Sequence, residues 1–222
     1  MNKVLTAILS LGLAAVLQAA PPAGVVTSVA GKVSLHKGDK VSALRLGQQL
    51  YAGDRLTTGA NGRAALVLTD GTQLKVNYNT DITLRDTDSK GKASERGIGS
   101  IKVALGGLWA KVVKKGSRLE FDTPAAVAAV KGTELILEVE LDKLCAKLRE
   151  GSLGISNRLG AADLGKLQML CVSKGKMPGT PSPWNGSADW TNQVGGATGA
   201  EVEIRFRDGD GQDKALKLEY GK

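Results

Sequence analysis

Arg63-Ala64-Ala65-Leu66-Val67-Leu68-Thr69-Asp70-Gly71-Thr72-Gln73-Leu74-Lys75-Val76-Asn77 reads as two strands joined by a tight turn. The first arm is a β-favouring apolar run. In the second, Leu74 and Val76 alternate with Gln73, Lys75 and Asn77, the period-two pattern of a half-buried strand. Asp70-Gly71 between them is the strongest short-range hairpin signal in the chain, because the turn needs a backbone that Asp and Gly reach with little strain.

The same grammar extends in both directions. Val25 to Val29 and Lys32 to His36 flank Ala30-Gly31, a second hairpin candidate. Leu44 to Leu50 and Asp54 to Thr58 flank Ala52-Gly53. Ile82 to Leu84, Ile98 to Leu105, Leu108 to Val113, Arg118 to Phe121, Val127 to Val130 and Glu134 to Glu140 follow as further short strands. The last two are separated by Lys131-Gly132-Thr133, and the polar stretch Asp86 to Arg96 reads as a loop. Strand signals this short and this regular predict an all-β architecture. Two stretches carry leucines at helical spacing: Leu141, Leu144 and Leu148, then Leu164, Leu167 and Leu170. Propensity yields readily to tertiary context, and both are read as containing strands. Residues 176–199 shift to Pro, Gly, Ser, Asn and Thr with Trp184 and Trp190 embedded, a linker or an ordered surface loop. Residues 200–222 predict a C-terminal β-hairpin, Glu201 to Arg207 and Ala215 to Tyr220, turning at Asp208-Gly209-Asp210-Gly211.

The first 19 residues read as a secretory signal peptide, with Lys3 before the apolar run Val4 to Leu17 and a cut after Ala19. That run falls short of the roughly 20 residues a bilayer span needs, and no later apolar stretch approaches a span, so none is expected after cleavage. The alternative is an uncleaved N-terminal anchor. Residues 20–175 then form the main domain. A periplasmic or secreted location follows, and there Cys145 and Cys171 are most simply a disulfide.

The chain carries a formal charge of +8, concentrated between Arg85 and Arg118, where nine basic residues face three acidic ones. Within it, Trp109, Lys111, Lys114, Lys115 and Arg118 form a candidate site for an anionic partner, a glycan or a lipid surface. The competing reading is a buried tryptophan beside a solvated basic turn. Nucleic acid is not expected, since no nucleic-acid fold motif accompanies the charge.

No enzyme is expected. The lone histidine, His36, sits in an amphipathic strand without a nucleophile motif nearby, and no nucleophile-elbow, phosphate-loop, zinc or dinucleotide signature occurs. Two cysteines and one histidine cannot complete a tetrahedral metal set. Asp208 to Asp213 only partly matches a calcium loop, and a glycine-rich turn explains the same residues. Catalytic residues, metals and cofactors are therefore all expected to be none.

Three stretches, in order and spacing, resemble the FecR domain. They are Gly53-Asp54-Arg55-Leu56-Thr57-Thr58-Gly59; Leu68-Thr69-Asp70-Gly71-Thr72-Gln73-Leu74 with Asn77 and Asn79; and Asp122-Thr123-Pro124-Ala125-Ala126-Val127-Ala128-Ala129-Val130-Lys131-Gly132-Thr133-Glu134-Leu135. The third is the most specific, and the resemblance runs over residues 53–155. Gly53, Asp54, Gly59, Asp70, Gly71, Thr123, Pro124, Lys131, Gly132 and Thr133 stand at motif positions and are read as fold-building. Lys131 stands where the family usually has Arg, and Leu135 where it usually has Phe. Lysine keeps the charge but loses the planar fork for a carboxylate. The resemblance implies an all-β domain of short strands, an elongated β-roll or solenoid-like stack, or a two-sheet sandwich. It also implies a setting in the bacterial envelope, where the family's best-known members are membrane-anchored anti-sigma regulators. The sequence points to an exported binding or scaffolding module for an envelope protein partner. Attachment to an anionic surface through residues 85–118 is the alternative, and an anchored signal-transducing regulator is the reading if the first segment is retained.

Overall fold

The computed structural model describes residues 21–86, 98–113, 119–187, 189–192, 201–207 and 213–219. The expected signal peptide, Lys114, Lys115, Arg118 and the turn at Asp208 to Gly211 lie outside them. Within the described residues the chain is strand and turn, with a single 3-10 turn at Asp189–Asn192. No described helix is long and apolar enough to cross a membrane.

The strands, in chain order, are β1 (Gly24–Ala30), β2 (Val33–Lys37), β3 (Lys40–Ala43), β4 (Gln49–Leu50), β5 (Arg55–Thr58), β6 (Arg63–Leu68), β7 (Gln73–Val76) and β8 (Asp81–Asp86). They continue as β9 (Ile98–Lys111), β10 (Leu119–Asp122), β11 (Val127–Val139), β12 (Lys143–Asn157), β13 (Gly160–Leu164), β14 (Gln168–Ser173) and β15 (Ser182–Pro183). The last pair is β16 (Glu201–Arg207) and β17 (Asp213–Glu219). Among the described residues β1 to β15 form one sheet, and β16 and β17 pair only with each other. The expected all-β roll is what forms. One sheet curls around one core, so the two-sheet sandwich is not the arrangement.

Period-two burial drives the curl. Leu35, Leu56, Leu66, Leu74, Val76, Ile82, Leu84, Ile101, Val103, Leu108, Phe121, Leu135, Leu137, Leu144, Leu148 and Ile155 belong to one buried cluster drawn from nearly every strand. Alternate residues of a strand point to one face. A sheet this wide can bury one continuous apolar face only by folding back on itself.

Several strand partners differ from the local expectation. The Asp70-Gly71 hairpin forms as read, Leu66 facing Leu74 across β6 and β7. Ala30-Gly31, however, does not close a hairpin: β1 pairs with β4 and β6, while β2 pairs with β3 and β5. Gly31 has a φ of 63° and its backbone packs against Asn61, so it redirects the chain into another part of the sheet. Leu44 to Gln48 is loop, and β4 is confined to two residues. Ile98 to Leu105 and Leu108 to Val113, read as two strands, join in β9. Val127 to Val130 and Glu134 to Glu140 likewise join in β11.

These long strands change partners midway. The first half of β9 lies between β8 and β10, and the second half between β7 and β11. At the crossover, Gly106 has a φ of 101°, and a Cβ there would collide with Asn79 and Thr80. The Thr80 hydroxyl accepts the Gly107 N–H at 3.0 Å. On β11 and β12 the register shifts at Lys131 to Glu134, where Gly132 and Gly151 both take positive φ. Both leucine-spaced stretches are strands, as expected, since their leucines feed the same core. Cys145 and Cys171 form the expected disulfide, facing each other across β12 and β14 with a Cα separation of 4.0 Å. A cross-link closing a loop of this size stabilises by roughly 3 kcal/mol.

Thr133 sits inside the β11 bend, 1% exposed, and its hydroxyl finds no hydrogen-bond partner among the described residues. A buried hydroxyl without a partner is a net cost. Thr133→Val, the same shape without the hydroxyl, is expected to raise stability by about 1 kcal/mol in urea denaturation.

Candidate functional site

The motif residues of the resemblance are consumed by turns. Gly53 has a φ of 92° and precedes Asp54, which is 5% exposed. The Asp54 carboxylate accepts the Tyr51 N–H at 3.0 Å and pairs with Lys37 Nζ at 3.1 Å. Gly59 donates its N–H to Lys32 and accepts from Gly62 and Asn79. Asp70 accepts both the N–H and the hydroxyl of Thr72, holding the β6–β7 turn, and Gly71 supplies the positive φ there. The Thr123 hydroxyl donates to the Ala126 carbonyl at 2.6 Å, and Pro124 is exposed at that corner. Asp54, Asp70 and Thr123 each close a local turn, a role suited to Asp and Thr side chains.

Of the proposed anionic-partner site, Trp109 and Lys111 fall within the described residues. Both lie on the outward side of β9, two residues apart. Lys111 is exposed, but Trp109 is only 7% exposed. Trp109 is thus closed to solvent, while Lys114, Lys115 and Arg118 lie outside the described residues. The Trp109 indole Nε1 donates to Glu134 Oε1 at 3.2 Å.

Trp109 is covered by the segment that the sequence left as linker or loop. After β14 the chain returns to pair Ser182 and Pro183 with Met169 and Gln168, and Trp184 donates its N–H to Leu167. The chain then leaves the sheet edge and crosses the outward face of β12, β11, β9 and β7. Arg149 on β12 donates to the Gly186 carbonyl at 3.1 Å, and its guanidinium lies 6.0 Å from the Trp184 ring centre. Lys75 on β7 donates to the Thr191 carbonyl at 2.9 Å and sits 5.0 Å over the Trp109 ring. Trp190 lies over Gly107, so that a Cβ there would touch its ring at 3.6 Å.

Beneath this strap is a row of interacting groups. Glu134 joins Trp109 to Arg149, whose NH1 approaches its carboxylate at 2.8 Å. Ile136, opposite Trp109 in the ladder, is fully buried although it is on the face away from the core. Burial holds the Lys75 ammonium below the ordinary lysine range. Glu134 partly offsets that shift, and the nearby Arg149 charge adds to it. The arrangement holds an extended chain through two cations on main-chain carbonyls and two aromatic contacts. Among the described residues no group of three or more His, Cys, Asp or Glu could hold a metal ion.

Lys75, Glu134, Arg149 and Thr191 were not singled out from sequence. The available signal was Trp184 and Trp190, two of the three tryptophans in the chain, inside a Pro/Gly/Ser-rich stretch. Large aromatics in such a stretch need a surface to bury against.

The fold and its turn chemistry define an all-β domain of one rolled sheet with motif-capped corners. Residues 54–153 match the FecR protein family, so the chain carries a FecR domain over that stretch. Two crystal structures of a candidate anti-sigma factor from Parabacteroides distasonis ATCC 8503, at 1.65 and 2.50 Å resolution, share the fold. Each superposes with a TM-score of 0.52 at 14% identity, over 66% of this chain and 67% of the other. No curated protein matches the sequence.

Trp190→Ala is expected to destabilise by about 2 kcal/mol, the scale for exposing half-buried aromatic area. It should also open Trp109 to acrylamide quenching. The Lys75 shift has a definite sign. Its folded pKa is lowered, so burying the charged form opposes folding at neutral pH. That opposition is relieved as pH rises through the folded value toward the unfolded one. Stability should therefore rise modestly in the alkaline range below the ordinary lysine pKa, and Lys75→Met should lack that rise in pH-resolved urea melts.

Proposed function

We propose that this chain is a non-enzymatic, exported FecR-like module of the bacterial cell envelope that recognises a protein partner, in a regulator-type signalling role. The observation that carries the reading is the FecR match over residues 54–153 together with the work its motif residues do. Asp54, Asp70 and Thr123 spend their polar groups on turns. A family defined by turn-forming residues is selected for a scaffold, and extended β-domains serve partners through edges and faces. The likeness to a candidate anti-sigma factor supports the fold side of this reading.

Export rests on the first 19 residues and is part of the proposal. Retention of that segment would make the chain an anchored regulator. The mass of the mature N-terminus separates the two, a start at Ala20 being the expected result. Attachment to an anionic glycan or lipid surface through residues 85–118 is the rival reading. It draws on the basic excess there but loses Trp109, which lies under the strap.

In-cell photo-crosslinking from exposed positions such as Glu150 and Lys174, with mass-spectrometric identification, should recover a reproducible envelope protein. The recovery should persist at high salt. Crosslinks only to lipid or glycan, lost on adding salt, would favour the rival instead.

A further inference from the structure

β14 is the last full strand of the sheet, and its outer edge is largely open. Of its six residues, only Gln168 and Met169 have a strand partner on that side, Pro183 and Ser182. Leu170 to Ser173 have none among the described residues. Continuing the same antiparallel register would place Pro181 opposite Leu170 and Pro178 opposite Ser173. Proline has no N–H to donate to a ladder, so Pro181 and Pro178 would leave the Leu170–Ser173 edge short of donors, and the return segment pairs only through Ser182 and Pro183. An open edge of this kind is a template for an added strand.

The strap continues from this edge across a face suited to any extended chain. Arg149 and Lys75 reach main-chain carbonyls, Gly186 and Thr191, which every peptide carries. The aromatic contacts, Arg149 with Trp184 and Gly107 with Trp190, require ring side chains at two positions. The strap is held at separate points: two residues of ladder, the Trp184 N–H, and the cation contacts to the Gly186 and Thr191 carbonyls, with both of its tryptophans half-buried. A segment tied point by point outside a continuous ladder opens locally at lower free energy than the core strands.

We infer that the β14 edge and the outward face of β12, β11, β9 and β7 together form a peptide-binding site. Its ligand is an extended segment of another protein: a proline-free strand that pairs along Gln168–Ser173, followed by two aromatic residues spaced as Trp184 and Trp190 are. Residues 182–187 and 189–192 occupy the site in cis and hold it closed. A foreign segment displaces them because it completes the ladder that Pro178 and Pro181 cut short. The site deepens the reading of this chain as a partner-binding module and rests on it.

The test uses the full mature chain and a fluorescent peptide of residues 182–192 with Val in place of Pro183, preceded by alternating Thr and Val in place of 178–181. Anisotropy titration should show binding to Trp184→Ala/Trp190→Ala at least about tenfold tighter than to wild type, since the cis occupant lowers the competent fraction. Arg149→Ala in that background should weaken binding about tenfold, the scale of an arginine contact at an interface. A peptide with the native Pro178 and Pro181 should bind more weakly than the proline-free one. Absence of binding to a double variant that keeps its thermal transition overturns the inference, as does binding indifferent to Arg149→Ala. Concentration-dependent dimers of the double variant that exclude the peptide would put a second copy on the face and also overturn it. Should the double variant not fold, Lys75→Gln frees only the far end of the strap and supports the same comparisons. Envelope crosslinks that map away from β14 and this face would sink the site while leaving the partner-binding function standing.

Discussion

Three strands are long enough to serve two neighbourhoods, and the fold depends on how they bend. β9, β11 and β12 each pair with one set of partners along one half and another along the other. A flat ladder of that length would splay the apolar face of the sheet instead of closing it over one core. Gly132 and Gly151, facing each other at the β11–β12 register shift, and Gly106 at the β9 crossover supply the backbone angles that allow the turn. Thr80 and Asn79 press directly on Gly106, so a side chain at that position would force the two halves apart. The Lys131-Gly132-Thr133 portion of the family motif is thus a bend inside a strand, and its unpartnered Thr133 hydroxyl shows how tightly the corner is packed.

Curling the sheet creates a second problem on its outside. Trp109 and Ile136 face away from the core yet are almost wholly buried, because the strap lies over them. Glu134, Arg149 and Lys75 surround that apolar pair and are satisfied by it and by the strap: indole N–H, ion pair and main-chain carbonyls. The ionic groups here are too exposed individually to hold much stability, and the aromatic cover does more. Trp109 is fixed in this way, while Lys111, two residues further along the same side of β9, is exposed.

How much was legible follows from the range of each signal. The Asp70-Gly71 hairpin was readable because register and turn are set within fifteen residues. The Cys145–Cys171 pairing was readable from compartment and number, and the helix-like leucines of β12 and β14 yielded to the surrounding strands as propensity allows. The Ala30-Gly31 hairpin was misread because a glycine turn marks a change of direction without naming the next partner. Whether β1 meets β2 or β6 is decided by which apolar faces can be buried together. The joining of two predicted strands into β9, and of two into β11, was hidden by Gly106 and Gly132, since a glycine inside a strand and one between strands look alike in sequence.

By itself, then, the sequence determined the all-β class, the FecR domain, the local turns and the cysteine pair, because each rests on backbone chemistry or short spacing. The tertiary structure decided the partners of β1 and β2, the bends of the long strands and the placing of Trp184 and Trp190 over β9 and β12. Lys75 and Thr191 are 116 residues apart, and Arg149 and Gly186 are 37 apart. Contacts of that separation depend on how the whole sheet closes, a property that no local run of residues carries.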